Sequence, residues 1–192
     1  VVIATPIDSH YDLCKEFILK GVNVFVEKPM TLSYTDSEKL IQLAEDNNVR
    51  IYIDDVFRFT QGYWNLIQQP RISNEPLYFN WNKYGSFGDT IFNALTYHDI
   101  YIALSMGYDL SGDIEFEYNR VNQKSFTIGK VHFAYDRTNN QKVKTASING
   151  YVIDFRTNLN PLDTMFNNVF NNNVDFDTNN SLALQSQKVL DR

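Results

Sequence analysis

The chain has 192 residues and a formal net charge of −6, with 17 lysine and arginine residues against 23 aspartate and glutamate residues. This acidic balance argues against nucleic acid as a partner, and no uncharged apolar run approaches the ~20 residues that would cross a bilayer. Cys14 is the only cysteine, which excludes an internal disulfide and a cysteine-based metal site and is typical of a reducing compartment such as the cytoplasm.

Residues 1–53 show three short apolar strand patterns that alternate with two amphipathic helix patterns. The strands are predicted at residues 1–4, 22–26 and 49–53. Asp8 or Ser9 is expected to cap the first helix, and Ser33 is expected to cap the second. The order strand, helix, strand, helix, strand predicts parallel strands joined by right-handed crossovers.

Polar residues follow each of these three strands. The segments concerned are Thr5-Pro6, Glu27-Lys28-Pro29 and Asp54-Asp55. Ligands of parallel α/β sheets bind beyond the carboxyl ends of the strands. The sequence therefore predicts that these loops meet at one rim of the sheet and form a binding site there.

After Phe59 the pattern changes to strict alternation, which is typical of antiparallel strands with one buried face. Strands are expected around residues 77–81, 114–118, 126–128, 131–135 and 148–155. A helix with His98 on its apolar face is expected to end near Gly107, another helix is expected around residues 162–170, and the asparagine-rich residues 167–180 are predicted to be a loose loop. We therefore predict two domains, 1–58 and 59–192.

Residues 1–59 resemble the Gfo/Idh/MocA oxidoreductases, the glucose-fructose oxidoreductase and inositol dehydrogenase family. The resemblance depends on Thr5-Pro6, on His10 four residues after Pro6, and on Glu27-Lys28-Pro29 at the family's spacing. It implies an α/β fold: the C-terminal half of a Rossmann domain that binds NAD or NADP, followed by an α+β domain with an open, mainly antiparallel sheet. It further implies hydride transfer to or from a sugar, nucleotide sugar or polyol, and a homo-oligomer formed through the open sheet.

The resemblance also implies roles for particular residues. Lys28 and His98 would be catalytic, and both would contact the substrate. Apart from the resemblance, Arg58 lies at the predicted domain junction, where it would either contact the substrate or bridge the two domains. The cofactor-binding residues would be Thr5, Pro6, His10, Glu27, Lys28 and Pro29. For His10, contact with the nicotinamide ribose and packing at the start of the helix remain alternatives.

The sequence departs from the family pattern in two ways. The phosphate-binding G-x-G-x-x-G turn is absent, so we expect the first half of the Rossmann domain to lie before Val1. Position 94, where many members carry an aspartate one helical turn before the histidine, is Ala94. The missing carboxylate leaves a second hypothesis open, a sugar- or dinucleotide-sensing protein without turnover.

Overall fold

The computed structural model describes residues 1–70, 75–84, 90–91, 95–156 and 160–192. The chain divides into two compact units, unit 1 with residues 1–55 and 165–192, and unit 2 with residues 56–164. The first boundary lies close to the predicted one at residue 58. The last 28 residues, which the sequence analysis gave to the second domain, group with unit 1 instead. The assignment of cofactor and substrate binding to separate domains stays a prediction.

Over the described residues, strands and helices follow one another in this order: β1 (Val2–Ile3), α1 (His10–Leu19), β2 (Val24–Val26), α2 (Tyr34–Asp46), β3 (Ile51–Ile53), α3 (Gln61–Ile67), β4 (Leu77–Asn82), α4 (Tyr97–Ser105), β5 (Ile114–Asn119), β6 (Gln123–Ile128), β7 (Val131–Asp136), β8 (Val143–Ile148), β9 (Tyr151–Asp154), α5 (Pro161–Phe170) and α6 (Phe176–Leu190). No described helix is both long and apolar enough to cross a membrane.

Unit 1 contains a three-stranded parallel sheet in the order β1-β2-β3, which confirms the predicted β-α-β-α-β arrangement. All residues of β2 and β3 are buried, as their continuous apolar sequences require. Ser33 caps α2 as predicted, because its hydroxyl oxygen accepts a bond from the Asp36 N–H at 3.2 Å. The predicted cap of α1 is wrong: the Ser9 hydroxyl donates to the Pro6 carbonyl at 2.8 Å and makes no capping bond.

The C-terminal segment of unit 1 corrects the predicted loose loop at residues 167–180. Helix α5 continues to Phe170, and α6 begins at Phe176, so only a short connection between them is irregular. Asp175 caps α6 by accepting a bond from the Thr178 N–H at 3.0 Å. The buried side chains of α6 include Leu182, Ala183 and Val189, and this helix packs against β3 and α2. Tertiary packing thus orders a sequence whose asparagines are weak helix formers.

Unit 2 contains a six-stranded sheet in the order β5-β6-β7-β4-β8-β9. Only the β4–β7 pair is parallel among the pairs described, which confirms an open, mainly antiparallel sheet. The strand expected at residues 148–155 is wrong in its limits. Asn149 and Gly150 have φ angles of 53° and 77°, so they form a turn between β8 and β9.

The two faces of the unit 2 sheet differ as the alternation predicted. Phe79, Phe133 and Tyr135 are buried on the inner face. Tyr78 is exposed on the outer face, where its ring stacks on His132 at a centroid distance of 4.4 Å. Helix α4 is joined to the inner face by the side chain of Asp99, which bonds residues of β7 and β8. The residue before Asp99 on this helix is His98.

Candidate active site

The carboxyl ends of the three parallel strands of unit 1 lie side by side. The register pairs Ile3 with Val26 and Val26 with Ile53, so the residues that follow these strands start from neighbouring positions. Thr5 and Pro6 are exposed, and Glu27 and Lys28 are half-buried. Six of the predicted site residues thus belong to this rim: Thr5, Pro6, His10, Glu27, Lys28 and Pro29.

His10, at the start of α1, connects the first two loops of the rim. Its imidazole is only 2% exposed. Nδ1 lies 3.2 Å from the Pro29 carbonyl oxygen, and Nε2 lies 2.8 Å from the Thr5 carbonyl oxygen. Because carbonyl oxygens only accept hydrogen bonds, both contacts direct the ring nitrogens to backbone of the chain itself. His10 therefore bridges the loop after β1 and the loop after β2.

The loop that carries Lys28 is held on its other side by α2. The Lys28–Pro29 peptide is cis, and the Lys28 N–H donates to the Glu27 carboxylate at 3.2 Å. Further along, the buried Thr31 hydroxyl donates to the Ser33 carbonyl at 2.7 Å and lies 2.8 Å from the Ser37 hydroxyl. Bonds on both sides of Lys28 fix the course of its backbone, while its side chain stays half-buried.

The third loop of the rim follows β3, which is the edge strand on the other side of β2 from β1. The Asn179 side chain, 0% exposed, accepts a bond from the Ile53 N–H and donates to the Ile53 carbonyl, both at 2.9 Å. This carboxamide from α6 pairs with β3 as a neighbouring strand would. Two residues beyond Ile53, the buried Asp55 accepts a bond from the Tyr52 hydroxyl at 2.5 Å. The sequence analysis missed Asn179 because its position in an asparagine-rich segment gave no signal of burial.

Two of the predicted site residues, Arg58 and His98, belong to unit 2. The His98 imidazole, 8% exposed, lies 4.6 Å from the Phe57 ring and 6.2 Å from the Trp81 ring between centroids. The Arg58 guanidinium lies 5.9 Å from the centre of the Tyr63 ring. Ala94, which stands where a carboxylate partner of His98 was expected, is outside the described residues.

Next to His98, unit 2 contains a buried charged network that the sequence analysis did not find. The Asp99 carboxylate accepts bonds from the Lys144 ammonium through Oδ1 and from the Tyr135 hydroxyl, at 2.9 Å, through Oδ2. Burial raises the pKa of the Asp99 carboxyl, and the Lys144 charge opposes that rise. Burial and the Asp99 carboxylate together raise the pKa of Tyr135 well above its usual value. Among the described residues, no three His, Cys, Asp or Glu side chains are grouped to hold a metal ion.

Comparison with known proteins identifies the segment that forms the rim. Residues 1–54 match the model of the oxidoreductase family GFO_IDH_MocA, described as an NAD-binding Rossmann fold. These 54 residues therefore have the sequence pattern of the Gfo/Idh/MocA oxidoreductase family. The motifs Thr5-Pro6 and Glu27-Lys28-Pro29 both lie inside the matched range. The predicted resemblance to the Gfo/Idh/MocA family is thereby confirmed.

A curated relative also matches a part of the chain. An uncharacterized oxidoreductase of Synechocystis sp. is 40% identical over 69 residues, which are 36% of this chain and 18% of that protein. The chain thus matches less than a fifth of this curated relative's length.

Solved structures show the same fold over nearly the whole chain. The UDP-N-acetylglucosamine 3-dehydrogenase GnnA of Acidithiobacillus ferrooxidans is 16% identical, with a TM-score of 0.84 over 99% of this chain and 75% of that one. The WlbA dehydrogenase of Thermus thermophilus, solved with NAD and UDP-GlcNAcA, is 12% identical, with a TM-score of 0.80 over 98% of this chain and 69% of that one. At these identities the likeness establishes the fold of both units.

Proposed function

We propose that the protein carrying this chain transfers a hydride between the nicotinamide of NAD or NADP and a hydroxyl or carbonyl group of a sugar, nucleotide sugar or polyol. One observation carries the proposal. Lys28 extends from the carboxyl end of a parallel strand inside an NAD-binding family segment, on a loop that is bonded to α1 through His10 and to α2 through Thr31. A lysine held in this way at a ligand-binding rim is suited to proton exchange with a substrate hydroxyl.

The rim residues fit the polar groups of a dinucleotide. Thr5 offers an exposed hydroxyl, Glu27 a half-buried carboxylate and Lys28 a half-buried amino group, which match the hydroxyls of a ribose and the carboxamide of a nicotinamide. We assign cofactor contact to Thr5, Pro6, Glu27, Lys28 and Pro29, and we give His10 the task of holding their loops together. When bound, the nicotinamide takes the hydride from the substrate or returns it.

The chain's own residues orient the substrate and move the proton. Lys28, through its neutral amine, accepts the hydroxyl proton as the hydride leaves the carbon that bears this hydroxyl, and it returns the proton in the reverse direction. His98 contributes an imidazole, which can donate or accept a proton and can hydrogen-bond a substrate hydroxyl. Arg58 contributes a permanent positive charge and five donors for substrate oxygens. In this division of tasks, Lys28 and His98 are catalytic residues and Arg58 binds substrate.

The proposed substrate class rests on the related structures, whose names include a nucleotide-sugar dehydrogenase and a dehydrogenase bound to a nucleotide sugar. We further propose that the outer face of the unit 2 sheet joins copies of the protein, since Tyr78 on β4 and Val152 on β9 are exposed apolar side chains in register on that face, with β8 between them. The single cysteine, Cys14, is consistent with the reducing conditions of a cytoplasmic location.

The test is a panel of sugars, nucleotide sugars and polyols incubated with the gene product that carries this chain and with NAD or NADP. The expected result is stoichiometric growth of reduced-nicotinamide absorbance with at least one member of the panel and one cofactor. The sensing hypothesis, which Ala94 favours, predicts binding of a panel member in calorimetry without any absorbance change. Binding without turnover across the whole panel would therefore reject hydride transfer and support sensing.

A further inference from the structure

Lys144, on β8, is an unusual residue for the inner face of a sheet. Its side chain is 7% exposed, and its ammonium bonds Asp99, whose side chain is 1% exposed. Taking two charges out of water is costly, and an ion pair of this kind seldom adds net stability over a well-packed apolar pair. The pair therefore calls for an explanation other than stability of the fold.

Two aromatic rings lie beneath the Lys144 ammonium. Nζ is 3.6 Å from the centre of the Trp81 ring and 4.6 Å from the centre of the Phe57 ring. Both distances are inside the range in which a cation is attracted to the negative face of an aromatic ring. The ammonium thus holds two rings that come from different elements, one from β4 and one from the short helical turn Val56–Phe59.

The His98 imidazole packs against these same two rings, at 4.6 Å from Phe57 and 6.2 Å from Trp81. His98 also directly precedes Asp99 on α4, so the carboxylate that bonds Lys144 fixes the backbone of this turn of the helix. Lys144 is consequently linked to His98 along two routes, through the helix backbone and through the surrounding rings.

We propose that Lys144 is a positioning residue for His98. Its ammonium fixes Asp99 on one side and the Phe57 and Trp81 rings on the other, and the imidazole is held in the space that these three groups define. An apolar side chain at position 144 fills the same volume and supplies neither the bond to Asp99 nor the attraction to the rings. The proposal rests on the proposed function only for the task of His98, and its structural part is testable alone.

Histidine NMR tests the structural part, because the chain has three histidines, His10, His98 and His132. Their imidazole carbon–proton signals are assigned by substituting each histidine in turn. The aromatic rings beside His98 shift its signal strongly, so the signal reports any change in their relative positions. Lys144→Met is expected to move or broaden the His98 signal and to leave the other two in place. Lys142→Met, at an exposed lysine two residues earlier, is the matched control and is expected to move none of the three.

A second variant keeps the test decisive if Lys144→Met does not fold, since that variant leaves the Asp99 charge buried without its ion-pair partner. The double variant Asp99→Asn with Lys144→Met removes both charges and keeps an oxygen for the Tyr135 hydroxyl. It is expected to fold and still to show a displaced or broadened His98 signal. An unchanged His98 signal in a folded variant that lacks the Lys144 ammonium would overturn the proposal.

Measurements of kcat distinguish the positioning of His98 by Lys144 from the proposed catalytic role of His98. If both hold, the double variant is expected to lower kcat by about 10- to 100-fold, the scale for a misplaced catalytic group, with little change in the KM for the dinucleotide. If His98→Asn leaves kcat unchanged while the NMR displacement is observed, the proposed role of His98 fails and the positioning of its ring by Lys144 stands.

Discussion

Replacement of His10 by phenylalanine separates a positioning role from direct cofactor contact. Phenylalanine fills nearly the same space in the buried site and makes neither of the two polar contacts of the imidazole. An imidazole with a single N–H donates to one of the two carbonyls, and its removal leaves that acceptor without its bond, which costs about 1–3 kcal/mol. We expect the free energy of unfolding to fall by roughly 1–3 kcal/mol.

The expected loss of activity follows from what the two imidazole contacts connect. Without them the loop after β2 is no longer tied to the loop after β1, so the position of Lys28 relaxes. A displacement of about 1 Å at a reacting group costs roughly 10²-fold in rate. We therefore expect His10→Phe to lower kcat by about 10- to 100-fold while the KM for the dinucleotide changes much less.

The assay combines urea unfolding with steady-state kinetics of the gene product that carries this chain. His132→Phe is the matched control, because it makes the same substitution at a half-buried histidine of β7 in unit 2, and we expect only small changes in both measurements. A His10 variant with unchanged kcat and a raised KM for the dinucleotide would refute the positioning role and support contact with the nicotinamide ribose. An unchanged free energy of unfolding in His10→Phe would refute the expected loss of stability.

Two further predictions concern unit 1. Asn179→Ala leaves the buried Ile53 N–H and carbonyl without the carboxamide. We expect urea unfolding to show that the free energy of unfolding falls by about 2–6 kcal/mol. The control Asn180→Ala makes the same change at the next position of α6 and is expected to be nearly neutral, and equal effects of the two variants would contradict the strand-like pairing. Burial raises the pKa of the Cys14 thiol from 9.0 to about 12. Between these two pH values the folded state binds more protons than the unfolded state. The free energy of unfolding therefore falls as the pH rises, by up to about 1.4 kcal/mol per pH unit. Urea unfolding at a series of alkaline pH values is expected to show this fall with pH in the native sequence and a smaller fall in Cys14→Ala. Identical pH dependences of the two proteins would reject the contribution of Cys14.

The rim of unit 1 was predictable because its signals are local. Each strand of the parallel sheet is a short apolar run with polar residues directly after it, and the topology of parallel strands brings such residues to one edge. Ser33 caps α2 by bonding Asp36 in the first turn of the helix, so four residues of sequence contain the whole signal. The motif that includes Lys28 lies at the end of such a strand.

Other parts of the site depend on contacts between segments far apart in sequence. Asn179 bonds Ile53 across 126 residues, and nothing in its own neighbourhood distinguishes it from the other asparagines there. Lys144 was missed for a different reason, because the predicted strand began only at residue 148. Asn149-Gly150 is a strong hairpin signal, and it places the preceding strand at Val143–Ile148. With that turn recognised, Lys144 falls on the same face as the buried Ala146 and Ile148.

The most direct test of hydride transfer through this rim is the kcat of Lys28→Ala in the gene product that carries this chain, compared with Lys15→Ala at an exposed lysine of α1. If Lys28 moves the substrate proton, its removal lowers kcat by ~10²-fold or more, the usual scale for a lost proton-transfer group, while dinucleotide affinity changes little and Lys15→Ala behaves as the native protein. Equal turnover by the two variants would contradict the central claim and remove Lys28 from the mechanism.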